Sequence, residues 1–187
     1  MSEEINNIFS TSKGHMDHSI THLRSELTKI RTGKASAAVL DGIKVDYYGT
    51  PTLLSQVANL STPDSKTISI QPWEKGMLAN IEQAIFAANL GLTPMNDGET
   101  IRITIPPLTE ERRKDLVKVA KGLGEEAKVS IRNERQKVMN TIKAEVKNGY
   151  PEDQGKKKEA EMQSMVNAYG DSINKLIEAK EKDIMTV

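Results

Sequence analysis

The sequence contains no cysteine, and aromatic residues make up only 4% of its 187 positions. A chain without cysteine forms neither disulfides nor thiolate metal sites, a composition typical of proteins in a reducing compartment. No run of about 18 apolar residues is present, so the sequence predicts no membrane-spanning helix and no membrane partner. The opening MSEEINN is acidic and lacks an apolar core, unlike a secretory signal peptide. Together these absences predict a cytoplasmic protein.

The chain also lacks net charge, since 26 lysines and arginines balance 26 aspartates and glutamates. The charges are nevertheless unevenly distributed. Residues 109–149 carry eleven cations and seven acids, for a net charge of +4, whereas residues 35–108 carry four cations and seven acids, for −3. Overall neutrality therefore hides one basic segment, and such a segment is typical of surfaces that bind polyanions.

Hydrophobic periodicity predicts three long helices, at residues 2–31, 109–148 and 152–182. In each helix, apolar residues recur at helical spacing and form a single stripe along one face. The stripe residues are Ile5, Phe9, Met16, Ile20, Leu23, Leu27 and Ile30, then Leu116, Ala120, Leu123, Ala127, Ile131, Val138 and Ile142, and finally Met162, Val166, Tyr169, Ile173 and Leu176. Three helices with one apolar stripe each bury those stripes most simply in a three-helix bundle.

Between the first two long helices the periodicity changes to that of strands. Ile43, Val45 and Tyr47 alternate with polar residues, and the run ends at a Gly-Thr-Pro turn. Strand-like runs follow near residues 56–61, 66–70 and 101–105. Apolar residues at helical spacing over residues 78–88 predict a helix of about four turns, with Gly91 as its stop. We therefore predict an α+β protein. A small α+β domain, a β/α/β sandwich at residues 34–105, is inserted into a discontinuous bundle domain of residues 1–31 and 107–187.

An inserted domain is joined to its host by two connections, which must lie side by side. Gly33 provides a stop for the first helix, and the two consecutive prolines near residue 106 return the chain to the second long helix. We predict a two-stranded hinge here, formed by Thr32, Gly33, Lys34, Ile105, Pro106 and Pro107.

A second series on the 109–148 helix is mainly cationic and lies about 110–120° from the apolar stripe, so it is predicted to face outward. The series is Lys114, Lys118, Lys121, Glu125, Lys128, Arg132 and Arg135. The lysines have acids at helical pairing distance, but Arg132 and Arg135 have none. Three interpretations are open: an external anion, solvated arginines, or a carboxylate from another helix. Glu134 falls toward the apolar stripe and needs a partner that the sequence does not identify.

If these arginines bind an external anion, the low aromatic content of the chain indicates which class of anion it is. Proteins that bind single-stranded nucleic acid present aromatic rings on which bases stack. No aromatic residue accompanies the cations of this helix. The pattern therefore favours structured RNA, recognised through phosphates and shape, with arginine forks on the phosphates.

Candidate catalytic and metal-binding residues are few. His15, His18 and His22 share one side of the first helix, but they lie away from its apolar stripe and lack the HExxH pattern with its general base. Three exposed histidines are predicted rather than a metal site. Residues 122–127 match GxGxxA, yet helical periodicity runs through them where a dinucleotide site needs a strand, a turn and a helix. Without a Walker motif or a nucleophile elbow, the sequence predicts neither an enzyme nor a cofactor.

Four stretches are distinctive: IRTGKAS at 30–36, DGIKVDYYGTPTLL at 41–54, PPLTEERRKDL at 106–116 and VSIRNERQ at 129–136. In these stretches, and colinearly over essentially the whole chain, the sequence closely resembles the bacterial ribosome recycling factors. The resemblance implies a monomer with a three-helix bundle and a hinged second domain, together L-shaped like tRNA. It also implies a task in protein biosynthesis. After termination such a factor binds between the ribosomal subunits and, with elongation factor G and its GTP hydrolysis, splits the complex for a new round of translation.

In that family the helical domain contacts large-subunit ribosomal RNA, largely through arginines of the second long helix. The resemblance implies rRNA-binding roles for Arg31, Arg113, Arg132 and Arg135, to which the cationic series adds Lys128. Arg31 and Arg113 rest on the resemblance alone, whereas Arg132 and Arg135 also follow from the charge pattern.

The chain departs from the family pattern in two places. Lys34 stands where the family often has arginine, so a bidentate phosphate contact is not expected there. Gly122 and Gly124 each destabilise a helix interior by about 1 kcal/mol relative to alanine and indicate a bend. Apart from the resemblance, two alternatives compete: a helical RNA-binding or coiled-coil adaptor protein without ribosome-splitting activity, and a metal-dependent enzyme that uses the three histidines.

Overall fold

The computed structural model describes residues 2–186, which form two compact units. The first unit contains the described residues through Arg31 and those from Glu110 onward, and the second is Thr32–Thr109. The helices are α1 (Ser2–Thr28), α2 (Leu78–Ala87), α3 (Glu110–Lys147) and α4 (Glu152–Met185). The strands are β1 (Lys44–Tyr47), β2 (Thr50–Leu53), β3 (Ala58–Asp64), β4 (Thr67–Pro72), β5 (Pro94–Asn96) and β6 (Ile101–Thr104). The predicted α+β class is confirmed.

In the first unit, α1, α3 and α4 pack on one another along their apolar stripes. All the predicted stripe residues of α1 and α3 are buried except Ile20 and Leu123, which are half-buried. On α4, Met162 and Ile173 are fully buried. The stripe of α3 also buries two acids, Glu134 and Glu145.

Gly124 lies where α4 closely approaches α3. A Cβ atom on Gly124 would lie 2.7 Å from Cγ1 of Ile177 on α4, closer than carbon atoms pack in proteins. A Cβ atom on Gly122 would meet nothing within 4 Å. Packing between the helices therefore favours glycine at position 124, where any larger residue forces Ile177 to shift, but not at position 122, and α3 continues as one helix through both.

A hydrogen bond joins α1 to α4, since the Tyr169 hydroxyl donates to the Asp17 carboxylate. Burial, together with the hydrogen bond and the negative charge of Asp17, raises the pKa of Tyr169 to about 12. The hydroxyl therefore stays protonated and remains a donor at neutral pH.

The second unit is built from a two-stranded sheet, β1–β2, and a four-stranded antiparallel sheet in the order β3–β4–β6–β5. One apolar core is shared by both sheets and α2. Its fully buried large side chains are Leu54, Ile68, Ile70, Ile81, Ile85, Ile101 and Ile103. Alternation is clearest in β6, where Ile101 and Ile103 are buried and Arg102 and Thr104 are exposed.

Several predicted boundaries are wrong. Helix α1 ends at Thr28 rather than residue 31, because its last turn tightens: the Ile30 N–H bonds the Leu27 carbonyl, and the Thr28 hydroxyl bonds the Arg24 carbonyl. Helix α2 has ten residues, about three turns. Strands β2 and β5 were not predicted, since each contains a proline and lacks the alternating pattern.

The two segments that enter and leave the second unit flank one turn, between β3 and β4. The Ala35 N–H donates to the Ser65 carbonyl at 2.8 Å, and the Ile105 N–H donates to the Lys66 carbonyl at 2.7 Å. Gly33 has a positive φ of 74°, and a Cβ there would lie 3.0 Å from Leu108 Cγ. The two connections therefore lie side by side.

Across residues 2–186, none of the helices is both long enough and apolar enough to cross a membrane.

Candidate nucleic-acid interface

The cationic series of α3 is mostly neutralised by nearby acids. Lys114 pairs with Glu110 at 3.4 Å and Lys128 with Glu125 at 3.5 Å, each within the helix. Lys121 pairs with Glu181 of α4 at 3.8 Å, rather than with the local Glu125 that its spacing predicts. These pairs are solvent-exposed and therefore weak. In the N-terminal half of the series they leave Lys118 without an ion pair within residues 2–186.

Lys118 and Arg132 are the two members of this series without an ion pair or side-chain hydrogen bond among the described residues, and of these only Arg132 lies at the groove between α3 and α4. It is exposed, and no ion pair or hydrogen bond joins its guanidinium to any other residue in the described part of the chain. It lies one turn from Lys128, at the edge of a groove of about 680 Å³ between α3 and α4. This α3–α4 groove is lined by Glu125, Lys128, Ile131 and Arg132 on one side and by Val166, Asn167, Gly170, Asp171, Ile173 and Asn174 on the other.

The walls of the α3–α4 groove offer different chemistry. On the α3 wall the guanidinium of Arg132 presents donors that match a phosphate. On the α4 wall Asn167, Asn174 and Asp171 present amide and carboxylate groups that match ribose hydroxyls and base edges. Gly170 projects no side chain between them. The groove thus suits a ribonucleotide backbone better than an isolated anion.

For Arg135 the sequence left open whether a group from another helix meets it, and the structure supplies one. The Nε of Arg135 donates to Oε1 of Gln163 on α4 at 2.8 Å, and Arg135 is half-buried. Gln163 in turn donates to Asn167 Oδ1 at 2.9 Å. Arg135 therefore contacts another helix, through an amide rather than a carboxylate, and this chain of hydrogen bonds reaches Asn167 in the α3–α4 groove.

The remaining predicted contacts are separated from this groove. Arg113 is 19 residues from Arg132 along α3, about 28 Å at the rise of an α-helix. Its guanidinium donates to the Met185 carbonyl at the end of α4, at 3.4 Å. Arg31 is exposed and follows the end of α1. The structure thus brings Lys128, Arg132 and Arg135 together and places Arg113 at the other end of α3.

The partners of Glu134 come from α1 and from its own helix. His15 Nδ1 lies 3.1 Å from one carboxylate oxygen, and Lys137 Nζ lies 3.0 Å from the other. Burial acts to raise the pKa of Glu134, but the hydrogen bonds from Lys137 and His15 outweigh burial and hold the pKa below its usual value. Glu134 therefore stays ionised and joins α3 to α1.

We expect Glu134→Gln to lower the free energy of unfolding by about 1 kcal/mol at pH 7, because the charge-assisted bonds to partly exposed partners are lost. A lowered pKa in the folded state stabilises the protein above the unfolded pKa of about 4.3, and that contribution disappears as the pH falls further. Urea unfolding at pH 7 and pH 3.5 measures this, with Glu126→Gln as the exposed control. A difference from wild type that does not shrink at low pH contradicts the assignment.

His15, His18 and His22 are exposed, as predicted. Among the residues that the structure describes, no group of three His, Asp or Glu side chains is arranged to hold a metal ion. His15 instead bonds Glu134. Sequence reasoning missed Gln163, Asn167 and Asn174, because polar residues on the face of α4 next to its apolar stripe look like ordinary solvated positions.

Comparison with known proteins bears on what this interface serves. The family model described as ribosome recycling factor matches residues 23–185. The ribosome-recycling factor of Flavobacterium johnsoniae is 50% identical over 187 residues, covering all of both chains. That of Porphyromonas gingivalis is 49% identical over 185 residues, covering 98% of this chain and all of the relative.

Solved structures agree with the sequence relatives. A solution structure of the ribosome recycling factor matches with a TM-score of 0.80 and 39% identity, covering 98% of each chain. Another, with a TM-score of 0.63 and 38% identity, covers 97% of this chain and 99% of its own. It comes from models of the T. thermophilus ribosome recycling factor and the E. coli elongation factor G bound to the E. coli post-termination complex. With family motifs, full-length relatives and fold all in agreement, this chain belongs to the ribosome recycling factor family.

Proposed function

We propose that the bundle unit binds the post-termination ribosome between its subunits through large-subunit ribosomal RNA, and that elongation factor G with GTP then drives disassembly of the complex. The observation that carries the RNA contact is Arg132, which is exposed and unpartnered among the described residues and lies at the edge of the α3–α4 groove. A guanidinium held on a rigid helix is pre-organised for a phosphate.

Two further observations support this proposal. The segment of residues 109–149, which contains α3, carries a net charge of +4, so it attracts RNA over a longer range than one contact does. In addition, the relative whose structure matches with a TM-score of 0.63 comes from models of a ribosome recycling factor and elongation factor G bound to a post-termination complex. Ribosome recycling factors are translation factors and not enzymes, so we assign GTP hydrolysis to the partner and place the activity in the cytoplasm.

Within the RNA contact we assign different roles to individual residues. Arg132 and Lys128 face phosphates from the α3 wall. Arg135, already bonded to Gln163, positions Asn167 and completes the groove. Arg113 bonds the C-terminal end of α4, and we assign it to a separate contact, because about 28 Å of helix separates Arg113 from Arg132. Arg31 does not line the groove, and we assign it to a contact outside the groove as well.

Ribosome splitting tests the proposal directly. We expect this protein, added with elongation factor G and GTP to post-termination 70S complexes, to lower their light scattering as the subunits separate, with no splitting when the protein or GTP is omitted. Elongation factor G with a non-hydrolysable GTP analogue serves as the control for coupling. Unchanged scattering with all components present, while the protein sediments with the ribosome, overturns the proposed activity.

A further inference from the structure

Tyr47, Tyr48, Trp73 and Glu74 form an aromatic cluster on the second unit, which the proposed RNA contact does not use. Both tyrosine hydroxyls donate to the carboxylate of Glu74, Tyr47 at 3.0 Å and Tyr48 at 2.8 Å. The two rings meet edge to face, with centroids 4.7 Å apart. Tyr47, Trp73 and Glu74 also line a notch of about 170 Å³. The two tyrosines are therefore ordered around one carboxylate, and Trp73 lies beside them in the lining of the notch.

The backbone at Tyr48 is unfavourable for the residue it carries. Tyr48 and Gly49 form the two-residue turn of the β1–β2 hairpin, with φ values of 48° and 84°. Such a turn strongly favours asparagine before the glycine, and a bulky residue at positive φ is a strained exception. Strain of this kind is concentrated at functional sites.

Burial does not account for the rings either. Tyr48 is 78% exposed and Trp73 is 68% exposed, in a chain that has a single tryptophan. Side chains this exposed contribute little apolar burial to the stability of the unit. Large exposed aromatic residues grouped together are typical of binding surfaces.

The negative charge of the cluster indicates that its partner is a cation. Glu74 places a carboxylate among the rings, and the hydrogen bond to it raises the pKa of both tyrosines, so both hydroxyls remain protonated donors. The neighbouring cation, Lys75, pairs with Glu99 at 3.5 Å. Residues 32–109 carry seven acids and five cations. A phosphate is repelled here, whereas a guanidinium is attracted by the ring faces and by the carboxylate.

We propose that this aromatic cluster is a docking point for an arginine side chain of a protein partner. The stem of the arginine lies along the notch beside Trp73, and its guanidinium faces the rings and the carboxylate of Glu74. The proposal concerns the second unit alone and goes beyond the RNA contact of the bundle.

Nuclear magnetic resonance tests the chemistry with a defined probe, the peptide acetyl-Gly-Arg-Gly-amide. We expect it to shift the single indole N–H signal, from Trp73, and the ring signals of Tyr48. The matched peptide with neutral citrulline in place of arginine should bind about two- to fivefold more weakly, the range of an exposed cation–π contact. An equal response to both peptides, or a stronger response to single-stranded oligouridylate, overturns the proposal.

Variants distinguish binding from a structural role. Tyr48→Asn supplies the residue that the turn prefers, so the second unit should melt at the same temperature or higher, while the arginine peptide binds about two- to fivefold more weakly. Glu74→Gln removes the charge and keeps one oxygen that accepts from one tyrosine hydroxyl, while its NH2 group can donate to the other hydroxyl oxygen, so it should weaken peptide binding similarly. Met95→Ala, at a site 70% exposed on β5, is the control and should bind as wild type. If Tyr48→Asn fails to fold, Glu74→Gln decides, and unchanged peptide affinity in that variant overturns the proposal.

Discussion

Arg132→Ala is expected to weaken binding to the ribosome by at least about tenfold, because a charge-assisted contact contributes about 1.5–3 kcal/mol. Stability should change by no more than about 0.5 kcal/mol, since Arg132 is exposed and has no partner among the described residues. The slope of log affinity against log salt should shrink by roughly one phosphate contact. Arg132→Lys should recover only part of the affinity, because an ammonium keeps the charge and loses the planar fork.

The measurement is ribosome binding over a range of salt concentrations, with the melting temperature of the same variant. Arg24→Ala is the matched control, since it removes the same charge from an exposed position on α1. It should leave both the affinity and the salt slope close to those of wild type. Loss of ribosome affinity in Arg24→Ala equal to that in Arg132→Ala shows that only overall charge matters and contradicts a specific phosphate contact.

Gly124→Val is expected to lower the free energy of unfolding of the bundle by about 2–3 kcal/mol, because the new side chain overlaps Ile177 of α4. For a unit of this size the melting temperature should fall by roughly 10–20 °C. The helices cannot separate to make room without losing contacts along the rest of the interface. Thermal unfolding followed by circular dichroism at 222 nm measures the change.

Gly122→Val provides the control for this prediction. It makes the same chemical change two residues away on the same helix, at a position with nothing within 4 Å of the added Cβ. Valine and glycine differ little in helix propensity, so the unfolding free energy should change by no more than about 0.5 kcal/mol. Equal destabilisation by both variants means that helix propensity and not interhelical packing governs this segment.

Helix geometry predicted which face of α3 carries the cations, but not which side chains of other helices contact them. The spacing correctly placed Arg132 on an exposed edge. It left the partner of Arg135 open, and α4 places Gln163 at 2.8 Å from that side chain. Spacing also predicted a local partner for Lys121, and the structure gives it Glu181 of α4 instead. Both cases concern a side chain that meets another helix.

Local patterns in the amino-acid sequence were sufficient to predict part of this structure. Apolar spacing set the three long helices, and the change from helical to alternating periodicity marked the inserted unit. The motifs at 30–36 and 106–116 identified the family. The helices and the change of periodicity at the inserted unit follow from periods of 3.6 and 2 residues, whereas the family follows from the resemblance of the motifs.

Only the tertiary structure decided which side chains meet. It supplied His15 and Lys137 to Glu134, brought Ile177 against Gly124, and joined both tyrosine hydroxyls to Glu74. The relative rotation and axial register of packed elements set these contacts, and they arise from the fit of whole surfaces. A periodic pattern shows which face of a helix is buried, but it carries no information about which residue of the neighbouring helix lies opposite.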